Sequence, residues 1–231
     1  MSRTAHRSPL VVFDLDGTLC DTVGVDAECF VQACAEWLGD GARHVDWAAA
    51  PQVTDQGILE WMAVRLLSRP PSTDEARGVE RRFLELLGDV RDREPARFRA
   101  VPGAAAMLDA LAADGRGVTV ATGGWRASAL LKLRAAELPT RLLAASSSDS
   151  PDRVEIFRLA ASRSSAGRPP AERVVLVGDG VWDVEIARAL GWGFVGVGAG
   201  PRAARLRDAG AERIVPDFRD APAVRDALDG G

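Results

Sequence analysis

Lysine is almost missing from this 231-residue chain, and Lys132 is the only one. Arginine carries the rest of the strong positive charge, and the lean toward arginine and alanine reads as compositional. The three cysteines, Cys20, Cys29 and Cys34, form no C-x-x-C pair, and the two histidines do not cluster. A disulfide framework and a zinc site are therefore not expected, and reduced thiols are the simplest account. No run approaches the roughly 18 apolar residues of a membrane span. Met1 to Pro9 is polar and lacks the apolar core of a secretory signal. A net charge of −4 argues against a general nucleic-acid binder. A cytoplasmic protein with no nucleic-acid or membrane partner is the expectation.

What is present is ordinary for a globular protein, with 47% hydrophobic and 27% charged residues. The length suits one large domain or a core with an insert. The most informative stretch is Val11-Val12-Phe13-Asp14-Leu15-Asp16-Gly17-Thr18-Leu19. Leu10 to Phe13 is a short apolar run of the kind found in strands buried on both faces. Asp14 and Asp16 then stand two apart and start out on the same side of an extended chain. Ligands of open α/β sheets bind at the carboxyl ends of such strands. Two neighbouring carboxylates repel each other, and a hard cation such as Mg²⁺ offsets that cost with oxygen ligands. One carboxylate can attack phosphorus to form an aspartyl-phosphate. The other can serve as acid toward the leaving group and base toward water. The alternative is a plain turn after a strand, since Asp and Gly form turns.

Asp14-Leu15-Asp16-Gly17-Thr18-Leu19 resembles the first motif of the haloacid dehalogenase-like hydrolase superfamily, mostly Mg²⁺-dependent phosphatases. Three further stretches follow in the order that this resemblance implies. Val118 to Ala121 reads as a strand running into Thr122-Gly123-Gly124 and a helix from Trp125 to Leu138. A hydroxyl and backbone amides at a helix N-terminus can hold a phosphate; a simple strand-to-helix turn is the alternative. The place resembles the second motif, in which Thr122 and the Gly123 amide would bind phosphate. The family often has Asn where Gly123 stands.

Leu142 to Ala145 reads as a strand, and a helix is expected from about Asp152 to Arg163. The third motif is a basic residue near the start of this helix, usually lysine. Arg153 occupies that place and can pair bidentately with a carboxylate or phosphate; a surface arginine at a helix start is the alternative. Arg158 and Lys132 are weaker candidates. Val174 to Gly178 is a second buried strand, followed by Asp179 and Asp183. It resembles the fourth motif, G-D-x-x-x-D, which implies that Asp179 binds Mg²⁺ while Asp183 supports the metal's water or Arg153. Thr18 is expected in a supporting role, and Trp182 as packing near the mouth. Phe194 to Val197, a helix with Leu206, Ile214-Val215 and a Ser162–Pro170 surface loop complete the core.

Between Thr22 and Phe98 no run reads as a strand. Helical spacing marks Asp26 to Leu38, Gln56 to Ser68 (Ile58, Leu59, Met62 and Leu66 on one side), and a third helix capped by Ser72-Thr73-Asp74. In the Val53–Gly57 loop, Thr54 or Asp55 is read first as an N-cap. The other reading is that Thr54 and Asp55 face the carboxylates and select the leaving group.

The resemblance implies a doubly wound, mostly parallel Rossmann-like sheet with an inserted all-helical cap. Residues 1–21 and 98–231 would form the core and 22–97 the cap. The implied reaction is hydrolysis of a small phosphorylated metabolite. Asp14 would attack phosphorus, and the Asp14 and Asp179 side chains and the Asp16 carbonyl would bind Mg²⁺. The Asp16 side chain would move protons, while Thr122, Gly123 and Arg153 would neutralise the phosphoryl group. A phosphosugar mutase on the same core is an alternative, though no convincing basic cap motif is seen. A non-catalytic phosphate-binding or phospho-acceptor module is another. A dehalogenase is opposed by Asp16 and Asp179.

Overall fold

In the computed structural model, which describes residues 9–165 and 171–230, the apolar run Leu10–Phe13 forms the first strand, β1, buried along its whole length. Its side chains alternate between two cores, as a pleated strand requires. Val11 and Phe13 face one, Leu10 and Val12 the other. The chain then makes a short strand β2 (Cys20–Asp21), helices α1 (Val23–Leu38), α2 (Asp55–Leu67) and α3 (Thr73–Arg93), and a short strand β3 (Arg99–Ala100). Strict alternation follows: α4 (Ala104–Ala113), β4 (Val118–Ala121), α5 (Arg126–Ala135), β5 (Leu143–Ala145), α6 (Arg153–Ser164), β6 (Val174–Gly178), α7 (Val181–Leu190), β7 (Gly193–Val197), α8 (Gly200–Asp208), β8 (Ile214–Val215) and α9 (Ala221–Asp229).

Six strands form one sheet in the order β5-β4-β1-β6-β7-β8, and every pairing in it is parallel. Helices pack on both faces. Met107 and Leu111 of α4, Leu133 of α5 and Leu228 of α9 share a core with Phe13 and Val177. Ile156 and Phe157 of α6 and Ile186 of α7 share the other with Val12 and Leu176. This is the doubly wound, Rossmann-like α/β architecture. The strand order reverses direction at β1, where crossovers to β4 and to β6 diverge, and that leaves a crevice at the carboxyl ends.

The helical stretch between β2 and β3 has its own core. Cys20 pairs with Ala100 and Asp21 with Arg99 in an antiparallel ribbon, so the chain leaves and re-enters the sheet region at one place. Phe30, Leu59, Met62, Phe83 and Leu87 pack together, joined from the main body by Trp125 and Leu131. Phe30, Phe83 and Trp125 form a triangle with all ring centroids 5.8 Å apart. The cap expected within Ser72-Thr73-Asp74 is Ser72, and it forms a full capping box with Glu75. Its hydroxyl accepts from the Glu75 amide at 3.3 Å, and its own amide donates to the Glu75 carboxylate at 2.8 Å.

Several boundaries differ from expectation. The first helix begins three residues early, at Val23. Leu66 lies against Gly41 but remains 37% exposed, because the buried stripe of α2 ends at Ala63. The helix after Trp125 stops at Ala135, where Glu137 turns left-handed (φ 57°) and the Leu138 amide returns to the Leu133 carbonyl. Of the expected Ser162–Pro170 loop, Ser162–Ser164 is the last turn of α6, and 166–170 lie outside the described residues, as do residues 1–8 of the polar N-terminal stretch. Helix α9, held by Val224 and Leu228, was not anticipated. The three cysteines are free and buried, and among the described residues no helix is long and apolar enough to cross a membrane.

Two substitutions gauge the helical stretch. Ser72→Ala removes the capping box and is expected to cost about 1 kcal/mol. Phe83→Ala opens the aromatic triangle and is expected to cost roughly 3–5 kcal/mol. Denaturant unfolding measures both, and similar small costs would show that the triangle contributes little.

Candidate active site

Asp14 continues β1 by one residue, its amide donating to the Val177 carbonyl of β6 at 2.9 Å. The next turn is tight. The Leu15 carbonyl accepts from the Leu19 and Cys20 amides, both at 2.9 Å, and Gly17 sits at φ +80°. A Cβ on Gly17 would lie 2.2 Å from Asp179 Oδ2, so glycine is what lets the loop after β1 meet the end of β6. Thr18 is buried and its hydroxyl lies 3.4 Å from Asp179 Oδ1. Arg202 of α8 approaches the other Asp179 oxygen at 3.4 Å.

Ligand oxygens from Asp14, Asp179 and Asp183 all lie within 4.8 Å of one another. Asp183 is fully buried at the start of α7. It accepts from the Gly180 amide and from Arg153 Nη2, each at 3.0 Å. The same Arg153 nitrogen donates to Asp14 Oδ1 at 3.0 Å, while Nη1 donates to the Val53 carbonyl at 2.8 Å. The Arg153 Nε is buried and has no hydrogen-bond partner among the described residues. The guanidinium also lies over the Phe157 and Trp182 rings at 5.5 and 5.8 Å. Burial, and then the nearby Asp183 charge, raise the Asp14 carboxyl well above its ordinary range despite Arg153. Burial and Asp183 push Asp179 up to about 7, against Arg202. Two buried acids and a half-buried one thus face fewer close cations, and their hard oxygens are the donor set that Mg²⁺ takes. The residues fit such an ion.

Asp16 lies outside that cluster by its side chain. Its Oδ1 accepts from the Thr22 hydroxyl at 2.6 Å, and its Oδ2 from the Lys132 ammonium at 2.7 Å. Lys132 is fully buried on α5 and also donates to Asp26 of α1. Sequence reasoning ranked Lys132 low and passed over Thr22 and Asp26. One signal was available: Lys132 lies four residues after Ser128 and three after Ala129, on the inward stripe of α5. A lysine there requires a charged partner. Arg158, the other weak candidate, is a surface residue paired with Glu155.

Thr122 is buried after β4, its hydroxyl accepting from the Gly124 amide at 3.0 Å. A Cβ on Gly123 would lie 2.2 Å from Arg153 Nη1 and 2.7 Å from the Val53 carbonyl. The missing side chain therefore makes room for the arginine. Thr54 is the N-cap of α2, accepting from the Gly57 amide at 3.0 Å, and it also donates to the Pro151 carbonyl at 2.8 Å. Asp55 is buried, accepts from the Trp125 amide at 2.8 Å, and donates through its own amide to the Gly123 carbonyl at 2.8 Å. The capping reading holds for Thr54, and the loop also reaches the site. Asp14, Asp16, Thr54, Asp55, Thr122, Gly123, Arg153 and Asp179 all line one cavity of about 380 Å³.

A model of the haloacid dehalogenase-like hydrolase family matches residues 9–191. No curated protein matches the chain significantly. Among solved structures, a Bacteroides vulgatus protein named as a candidate β-phosphoglucomutase shares 18% identity over 98% of this chain and 91% of its own (TM-score 0.70). CbbY from Rhodobacter sphaeroides, solved with phosphate, shares 22% over 96% and 99% (TM-score 0.66). A predicted phosphoglycolate phosphatase from Haemophilus somnus shares 20% over 96% and 100% (TM-score 0.60). At these identities the likeness speaks to the fold.

Gly123→Ala is expected to push the Arg153 guanidinium off Asp14. Hydrolytic turnover should fall by roughly 10²-fold, the scale of a 1 Å misplacement, and the unfolding temperature should fall as well, because buried Asp14 and Asp183 lose part of their counter-charge. Steady-state kinetics and a thermal melt of the variant test this together.

Proposed function

The chain belongs to the haloacid dehalogenase-like hydrolase family, and on that footing we propose that it is a Mg²⁺-dependent phosphatase of small phosphate monoesters. The observation that carries the reading is the pairing of Asp14 with Arg153 beside Asp179 and Asp183, over a cavity edged by Thr122 and Gly123. The helices between β2 and β3 act as a cap over that cavity, with residues 22–97 as the insert and 1–21 with 98–231 as the core.

Asp14 is the nucleophile. One carboxylate oxygen attacks phosphorus, the ester oxygen leaves, and an aspartyl-phosphate forms. Arg153 fixes the other geometry: Nη2 holds Asp14 through Oδ1, and the guanidinium brings positive charge to the wall of the cavity where the phosphoryl group would sit. Thr122 and the Gly123 amide take further oxygens, at the start of a helix whose dipole favours an anion. Such charge stabilisation is the main catalytic term in phosphoryl transfer. The Asp14 and Asp179 side chains and the Asp16 carbonyl would hold Mg²⁺, which would supply the positive charge that lets a dianionic ester approach a carboxylate. Asp16 protonates the departing oxygen and then takes a proton from the water that attacks the acyl phosphate. That step returns Asp14 and releases inorganic phosphate. Asp183 stays fixed against Arg153 and the Gly180 amide.

Two relatives in fold are named for phosphatase and mutase activities. The cavity wall favours the phosphatase. From the helical side it is made by Val23, Ala27, Phe30, Trp47 and Ile58, with Asp26 and Asp55. Among the described residues no lysine or arginine of that side lines it; besides Arg153 the lining arginines are Arg202 and Arg205 of α8 in the core, so a mutase's second phosphate would find no cation on the helical side. Apolar surface instead suits an apolar alcohol as the leaving group.

Incubated with p-nitrophenyl phosphate, the protein should release phosphate with added Mg²⁺ and stop when the metal is chelated. Asp14→Asn should abolish turnover, and Asp16→Asn should lower it by about 10²–10⁴-fold. Turnover that survives Asp14→Asn, or isomer instead of free phosphate from a hexose phosphate, would overturn the assignment.

A further inference from the structure

Lys132 is fully buried, yet it sits among three carboxylates contributed by separate parts of the chain. Its ammonium donates to Asp16 Oδ2 at 2.7 Å and to Asp26, and Asp55 lies close enough to act on its charge. Asp16 follows β1, Asp26 is on α1, and Asp55 begins α2. The carboxylates it donates to balance its charge where no solvent reaches it. In a chain whose other strong cations are all arginines, the one lysine stands where several carboxylates meet at a point. A compact ammonium with three rotatable donors suits that point better than a planar fork.

With Oδ1 held by Thr22 and Oδ2 by Lys132, the Asp16 carboxylate has both oxygens fixed. We propose that Lys132 is a positioning residue, which aims the Asp16 carboxylate at the leaving oxygen and, through Asp26, ties α1 to that orientation. The proposal rests on the phosphatase reading, and wild-type hydrolysis tests that reading first. Lys132 does not touch substrate; it acts through Asp16. A proton on the leaving group matters greatly for an alkoxide and little for p-nitrophenolate. A positioning role therefore leaves a signature that a role in packing or charge neutralisation does not.

The test compares kcat/KM for benzyl phosphate and p-nitrophenyl phosphate, because kcat/KM reports the phosphoryl-transfer step that needs the acid. Lys132→Met should lose roughly 10²-fold on benzyl phosphate, the lower end of general-acid effects, and only a few-fold on p-nitrophenyl phosphate. Lys132→Met leaves Asp16 and Asp26 facing each other without a cation and can lower stability on its own. The double variant Lys132→Met with Asp26→Asn removes that repulsion. It should regain unfolding temperature but keep the unequal loss. Equal losses on both esters, or recovery of benzyl phosphate hydrolysis in the double variant, would show that Lys132 only neutralises buried charge and would overturn the proposal.

Discussion

The Asp14–Arg153–Asp183 bridge is the constraint around which the rest is arranged. A single guanidinium nitrogen lies 3.0 Å from an oxygen of each acid. The two acids come from the ends of β1 and the start of α7, and the arginine from the first turn of α6. Removing one partner of such a buried set leaves an uncompensated charge, which costs more than the pair itself contributes. The parallel sheet makes the arrangement possible, because β1 and β6 are neighbours whose carboxyl ends point the same way. The surplus negative charge is not a fault of folding. Burial, and then the mutual repulsion of these acids, raises Asp14 and Asp179 above their ordinary range, as happens where acids cluster in a cleft.

A second layer of contacts ties the helical stretch to this bridge. The Val53 carbonyl accepts from Arg153, the Gln52 side chain accepts from the Arg153 amide at 3.1 Å, and the Gln56 amide donates to Ser147 at 3.0 Å. Trp125, the residue after the Gly123-Gly124 turn, has its amide on Asp55 and its ring against Phe30 and Phe83. The Thr122–Gly124 loop, the Val53–Gly57 loop and Arg153 therefore share partners. A change in one is transmitted by direct contact to the others.

Much of this was legible in the sequence, and for a definite reason. Asp14, Asp16, Asp179 and Asp183 lie in short motifs directly after apolar strands, where spacing alone fixes which residues emerge at the sheet edge. Arg153 could be placed because it stands near the start of the helix after β5, where the resemblance implies a basic residue; in the structure Asp152 caps that helix, accepting from the Glu155 amide at 3.0 Å. What was not legible depends on long-range approach. Lys132 meets Asp26 across 106 positions and Asp16 across 116, and no local pattern encodes either. The reason for Gly123 was hidden likewise, since the space it vacates is filled by a side chain thirty residues on. Thr54 is the N-cap that was read first, and its hydroxyl also bonds across to the Pro151 carbonyl, a contact no local pattern announces. The last helix escaped notice because its inward face is only Val224 and Leu228.

Arginine at position 153 carries one more consequence. A lysine in the same place would be a weak acid, able to surrender its proton in alkaline solution and to react with aldehydes or cyanate. A guanidinium does neither under conditions in which proteins survive. The clamp on Asp14 is therefore permanent, and any alkaline decline in this protein's chemistry must originate in some other group.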